Sequence, residues 1–168
     1  VGRASVTVDA GLESDAEVAA ISGSNLFVVD RELEDGQVKP GVRVFDIATP
    51  ASPVSVSRID LAGYGAEINS VAAYGPYVVA ALEADPRTSP GRIVLMRWNG
   101  KSLNVVRAAR TGALPDMVAF SPDGRRVLVA NEGEPSCYGD GCVDPEGSLT
   151  LVDIAALARG AAGASTQI

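Results

Sequence analysis

The apolar positions of this chain come in short runs, and the runs recur. "NLFVVD" (Asn25 to Asp30), "YVVAALE" (Tyr77 to Glu83) and "RVLVANE" (Arg126 to Glu132) are rich in valine, leucine and other aliphatics. Their spacing is about fifty residues, a period at which repeated sheet units are expected. Each run follows a shorter apolar segment and a turn: "EVAAIS" with Gly23, "NSVAAY" with Gly75 and Pro76, and "MVAFS" with "PDG". Glycine and proline at these points supply the positive or fixed φ that reverses a strand.

A third run follows each pair after a polar connection: "VRVFDIA" from Val42, "RIVLMRW" from Arg92 and "SLTLVDIA" from Ser148. The first two units continue with "VSVSRIDL" and "SLNVVRAA"; the third has only "ASTQI" there, after "DIAALARG", which could form a turn or two of helix. The pattern predicts an all-β chain of three units with four antiparallel strands each, at about 16–61, 67–111 and 114–168. Runs such as "LFVV" and "VLVA" are apolar at successive positions instead of alternating, which predicts strands buried on both faces.

Four antiparallel strands per repeat at this period are the signature of a β-propeller blade. Ring closure takes about four to eight blades. The expected fold is therefore an incomplete propeller of about three blades, with the strand-like "SVTV" inside residues 1–10 serving as the outer strand that closes a missing last blade. The remaining blades would belong to a longer chain, and the start at Val1 without methionine fits a processed or trimmed product. A two-layer sandwich of twelve strands is the alternative.

Composition narrows the function classes. The chain has 168 residues, 46% of them hydrophobic, enough for one domain with a substantial core. Its formal charge of −7 opposes nucleic-acid binding, and no basic patch is interleaved with aromatics. With no histidine, imidazole metal ligands and histidine-based triads are excluded within this chain. No run reaches the roughly 18 apolar residues of a spanning helix, so membrane insertion by this segment is not expected.

In a four-stranded blade, the connections between second and third strands emerge on the same rim as the links between blades. Glu32, Glu34, Asp35, Glu83, Asp85, Glu132, Glu134, Asp140, Asp144 and Glu146 are expected in the former, and Glu13, Asp15, Glu17, Glu67 and Asp116 in the latter. Carboxylates gathered on one rim raise one another's pKa and favour a cation. The candidate metal ligands are Asp116, Glu132, Glu134, Asp140, Asp144 and Glu146, with calcium the candidate ion because hard cations take carboxylate and carbonyl oxygens. "YGDGCVDPEG" lacks the ligand spacing of an EF-hand loop, and a solvated rim that maintains solubility is the alternative.

"SPDG" at Ser121 and "NGK" at Asn99 are turn signals, and Trp98 and Tyr77 fall in strand runs where packing is expected. Cys137 and Cys142 bracket "YGDG", too widely spaced for a CxxC motif and too few for a zinc site. A loop-closing disulfide in an oxidising compartment is expected, with two free thiols as the alternative.

"INSVAAYGPYVVAALEA", "GRIVLM", "TGALPDMVAFSPDGRRVLVANEGEPS" and "VDPEGSLTLVDI", in this order, resemble the N-terminal propeller of the choice-of-anchor I family, also described as mesenchyme-specific cell surface glycoprotein-like proteins. "FSPDG" alone occurs across WD-type and YVTN-type propellers, whereas its combination with "VANEGEP" and "DPEGS" is specific. The resemblance implies secreted or surface-anchored proteins, mostly bacterial, with a propeller of about seven blades and often a separate C-terminal anchor. Some relatives carry alkaline phosphatase labels. The insertion of "CYGDGC" between "NEGEPS" and "VDPEG" departs from the family's common pattern.

Two functional classes follow. The first is a noncatalytic extracellular or cell-surface binding module for a protein, glycan or small ligand, with calcium as an optional companion. The second is a calcium-dependent, alkaline phosphatase-like phosphoesterase, with metal on Glu132, Glu134, Asp140, Asp144 or Asp116 and with Arg31 and Arg87 as rim arginines. No catalytic residue is assigned, and a structural spacer within a longer surface protein is a third reading.

Overall fold

The structure, a computed structural model, describes residues 18–168. The proposed outer strand in residues 1–10 and the carboxylates Glu13, Asp15 and Glu17 lie outside the described residues. Three four-stranded antiparallel sheets follow one another along the chain. The first contains β1 (Ala19–Ser22), β2 (Asn25–Glu34), β3 (Gln37–Asp46) and β4 (Val54–Asp60). The second contains β5 (Glu67–Tyr74), β6 (Tyr77–Glu83), β7 (Pro90–Trp98) and β8 (Leu103–Ala113). The third contains β9 (Pro115–Phe120), β10 (Arg126–Asn131), β11 (Ser148–Asp153) and β12 (Ser165–Gln167). Each sheet is a meander in which sequence neighbours pair.

The single helix among the described residues, α1 (Ile154–Arg159), lies between β11 and β12. Asp153 caps it by accepting from the Ala156 N–H, and Gly160 ends it at φ 72°. Those are the acceptor and the left-handed residue that free helix ends require.

The middle sheet explains the unbroken apolar runs. Successive strand residues point to opposite faces, so Val78, Ala80, Leu82, Val94 and Met96 pack in one core with Phe27, Val29, Val42 and Val44 of the first sheet. Their neighbours Val79, Ala81, Ile93 and Leu95 pack in a second core with Val118, Val127, Val129 and Val152 of the third sheet, which α1 covers through Ile154 and Leu157. The second sheet is thus stacked between the other two. Trp98 meets Phe27 edge-on at 6.3 Å, and Tyr77 packs against the second core, so both aromatics serve packing.

The third sheet leaves its other face open. Leu128 pairs with Ala119 and Leu151, and Ala130 with Met117 and Leu149, placing these side chains on one surface. Met117 is 61% exposed, Leu128 42% and Leu149 41%. On β10 the alternation is clean: Val127, Val129 and Asn131 are buried, while Arg126, Leu128 and Ala130 are exposed.

The first sheet corrects one expectation. Glu32 and Glu34 lie within β2, because β2 and β3 continue as a two-stranded ribbon to the two-residue turn Asp35–Gly36. Both turn residues have positive φ, 53° and 76°, the geometry of a tight hairpin between twisted strands. β4 pairs with β3 only from Gly41 onward, so Arg31 to Pro40 form this ribbon alone.

Candidate functional site

The β6–β7 connection, residues 84–89, and the β10–β11 connection, residues 132–147, meet where the second and third sheets are stacked. Arg87 of the former is ion-paired with Glu134 of the latter at 2.5 Å. An open cleft of about 450 Å³ lies here, lined by Ala66, Glu67, Glu83, Asp85, Arg87 and Ser136 among others. Glu67 is held by Arg31 of β2 at 3.1 Å, and Glu83 accepts from Asn69 Nδ2 at 3.1 Å. The cleft therefore presents carboxylates from two strands and a loop, with positions fixed from the first sheet at one side and the third at the other.

Glu67 and Asp116 are strand residues of β5 and β9, not members of the links between sheets. The links are shorter than the sequence suggests, since β8 runs on to Ala113 and β9 begins at Pro115. Leu114 turns the chain between them with φ 49°.

The predicted metal ligands are dispersed over this region. Asp116 is exposed on β9, Glu132 follows β10, and Asp140, Asp144 and Glu146 are exposed along the long loop. Glu134 is engaged by Arg87. Among the described residues, no three Asp, Glu or Cys side chains are grouped so as to hold a metal ion. Both arginines that could have faced an anion, Arg31 and Arg87, are ion-paired to carboxylates. Cys137 and Cys142 are joined by a disulfide across a Cα–Cα distance of 5.2 Å.

One buried group escaped the sequence reading. Asp30 is 2% exposed and holds two arginines, accepting from Arg43 at 3.0 Å and Arg58 at 2.5 Å. Arg58 also reaches the Lys39 carbonyl at 2.9 Å and Glu32 at 3.0 Å. Asp30 Oδ1 and Arg43 Nε have no hydrogen-bond partner among the described residues. The available signal was register: Arg43 pairs with Arg58 across β3 and β4, two positions from the row that contains Asp30 and Gly41 and therefore on the same face of the sheet.

Comparison with known families identifies the chain. The choice-of-anchor I domain model matches residues 17–167. The chain belongs to the choice-of-anchor I family. Among curated proteins no match was found. The domain name suggests a surface-anchored or secreted protein, and the match spans all three sheets of this choice-of-anchor I domain. No helix among the described residues is long and apolar enough to cross a membrane.

Proposed function

We propose that the three sheets are consecutive blades of a β-propeller and that the domain is a noncatalytic, extracellular binding module using the loop rim around the Glu67, Glu83, Asp85 and Arg87 cleft. The observation that carries this reading is the stacking: one sheet is covered on both faces by sheets of the same kind, and the third sheet ends in an equivalent but open apolar face. Repeated face-to-face stacking leaves strand ends and their loops at the rims, where ligands can reach them. A two-layer sandwich would instead join two sheets through a single shared core.

Ligand screening of the full-length protein against secreted-protein and glycan arrays tests the binding role. A retained ligand that is lost in Glu83→Gln and Asp85→Asn variants of unchanged melting temperature supports the cleft. Retention indifferent to both substitutions removes it. An electron-microscopy envelope of the full-length protein tests the architecture separately: a ring of radially arranged sheets supports it, and two facing layers refute it.

Calcium is a further part of the proposal, restricted to the exposed carboxylates Asp116, Glu132, Asp140, Asp144 and Glu146 with Glu134. Ion pairing already neutralises two acids of this region, Glu67 and Glu134, which lowers the electrostatic demand for a cation. Melting temperature followed through a millimolar calcium titration decides between the two ways of balancing that charge, since an ion bound to the native state raises it.

A further inference from the structure

The β10–β11 loop is closed three times over. At its base, Gly133 has φ 71°, and a Cβ there would stand 2.6 Å from the Pro145 carbonyl oxygen. Gly147 approaches from the other side of the loop base, with its added Cβ 3.0 Å from the Glu132 carbonyl oxygen. The two backbones can therefore touch only because neither carries a side chain. Halfway out, the Ser136 N–H donates to the Val143 carbonyl at 2.9 Å, and the Val143 N–H donates to Ser136 Oγ at 3.1 Å. Near the tip, the Cys137–Cys142 disulfide closes a short cycle.

This cycle displays one aromatic. Tyr138 is 91% exposed and follows Cys137 directly, with Gly139 at φ 122° and Gly141 at φ 86° turning the chain beyond it. None of the described aromatic contacts includes it. Holding a large ring in water contributes nothing to a core, whereas holding it in place lowers the ordering cost of a later contact. The surroundings specify the charge of that contact. From Val127 to Ala158 the sequence contains six Asp or Glu residues and no Lys or Arg; Arg87 of the neighbouring loop pairs with one of them, Glu134, while Asp140 and Asp144 are exposed in the loop itself.

We propose that this stapled loop is a recognition finger for an arginine-rich protein segment, in which a guanidinium stacks on the Tyr138 ring while Asp140 and Asp144 pair with neighbouring arginines. Arginine suits this surface better than lysine because its planar, weakly hydrated cation can stack on an aromatic and still hydrogen-bond to a carboxylate. The proposal concerns the loop alone and holds whether or not the sheets close into a ring or the neighbouring cleft takes a ligand.

The test is fluorescence anisotropy of labelled peptides of alternating Arg and Ala, or of alternating Lys and Ala, binding to the full-length protein. The Arg peptide is expected to bind more tightly, and Tyr138→Ala is expected to weaken it about tenfold, as for an aromatic anchor at an interface. Tyr138→Phe keeps the ring and should retain the Arg preference. Replacing both cysteines by serine frees the tip and should weaken the Arg peptide several-fold, a loss judged against the unchanged Tyr138→Ala fold control by circular dichroism. Equal binding of the two peptides, indifference to Tyr138→Ala, or Tyr138-dependent binding of neutral oligosaccharides in place of the Arg peptide would each overturn the proposal.

Discussion

Arg87 and Glu134 are 2.5 Å apart and belong to loops of different sheets. Their ion pair ties the cleft to the stapled loop, whose Ser136 also lines the cleft. Both side chains are partly exposed, 48% and 39%, so global stability should hardly depend on it: Arg87→Ala is expected to cost about 0–1 kcal/mol. Local order should depend on it more. Amide hydrogen exchange across residues 133–143 is expected to accelerate in Arg87→Ala while the strands β6 and β10 keep their protection.

Asp30 presents the opposite case. Its carboxylate is buried between Arg43 and Arg58, whose side chains are 20% and 15% exposed. Removing it takes from Arg43 the carboxylate it donates to and leaves Arg58 with only Glu32 and the Lys39 carbonyl, both cations being poorly hydrated. Asp30→Ala is expected to destabilise the fold by about 3–5 kcal/mol, the range for breaking one partner out of a buried pair. Urea denaturation of the two proteins measures this directly, and a loss below 1 kcal/mol would show the cluster to be well solvated.

The open face of the third sheet predicts self-association. The 168-residue chain should form oligomers through Met117, Leu128 and Leu149, because exposed aliphatic rows on a sheet invite a second sheet. Leu128→Lys with Leu149→Lys should return it to monomer in sedimentation velocity. In a longer protein that covers this face, the same pair should be destabilising, by about 2 kcal/mol for each buried leucine lost.

Asp123 should give the SPDG turn a pH dependence. Ser121 Oγ donates to its carboxylate at 2.6 Å and the Arg125 N–H donates at 3.1 Å. These bonds, the serine's foremost, hold its pKa below the ordinary 3.8. A depressed folded pKa adds stability that is complete above the ordinary value and disappears as pH falls through the folded one. Asp123→Ala should therefore lower the melting temperature at neutral pH, and the gap from the parent protein should close in strong acid.

The strands were legible because their apolar runs are bounded by Gly, Pro and Asp-Gly signals, and because both faces of the middle sheet are dry. Helix α1 was legible from "DIAALARG", where Asp153 and Gly160 mark its two ends. The ribbon from Arg31 to Pro40 was misread as loop: its "RELE" and "QVK" segments carry too much charge for a buried strand, and the one hairpin signal available, Asp35–Gly36, was overlooked. The charge distribution was least legible. Which carboxylates meet arginines depends on cross-strand register and on contacts between sheets, as with Arg31–Glu67 and Arg87–Glu134, and neither is written in local sequence.

The stacking of β6 between two cores also means that polarity cannot hold this strand in phase. If Tyr77 to Glu83 slipped by one position, Val79 and Ala81 would exchange sides with Val78, Ala80 and Leu82, and grease would still meet grease on either side. Its alignment must come from side-chain bulk and from the tight reversal that sets Tyr74 opposite Tyr77. A single residue inserted between Gly75 and Pro76 should thus do more harm than trimming any one aliphatic of the strand, because it shifts every one of them together.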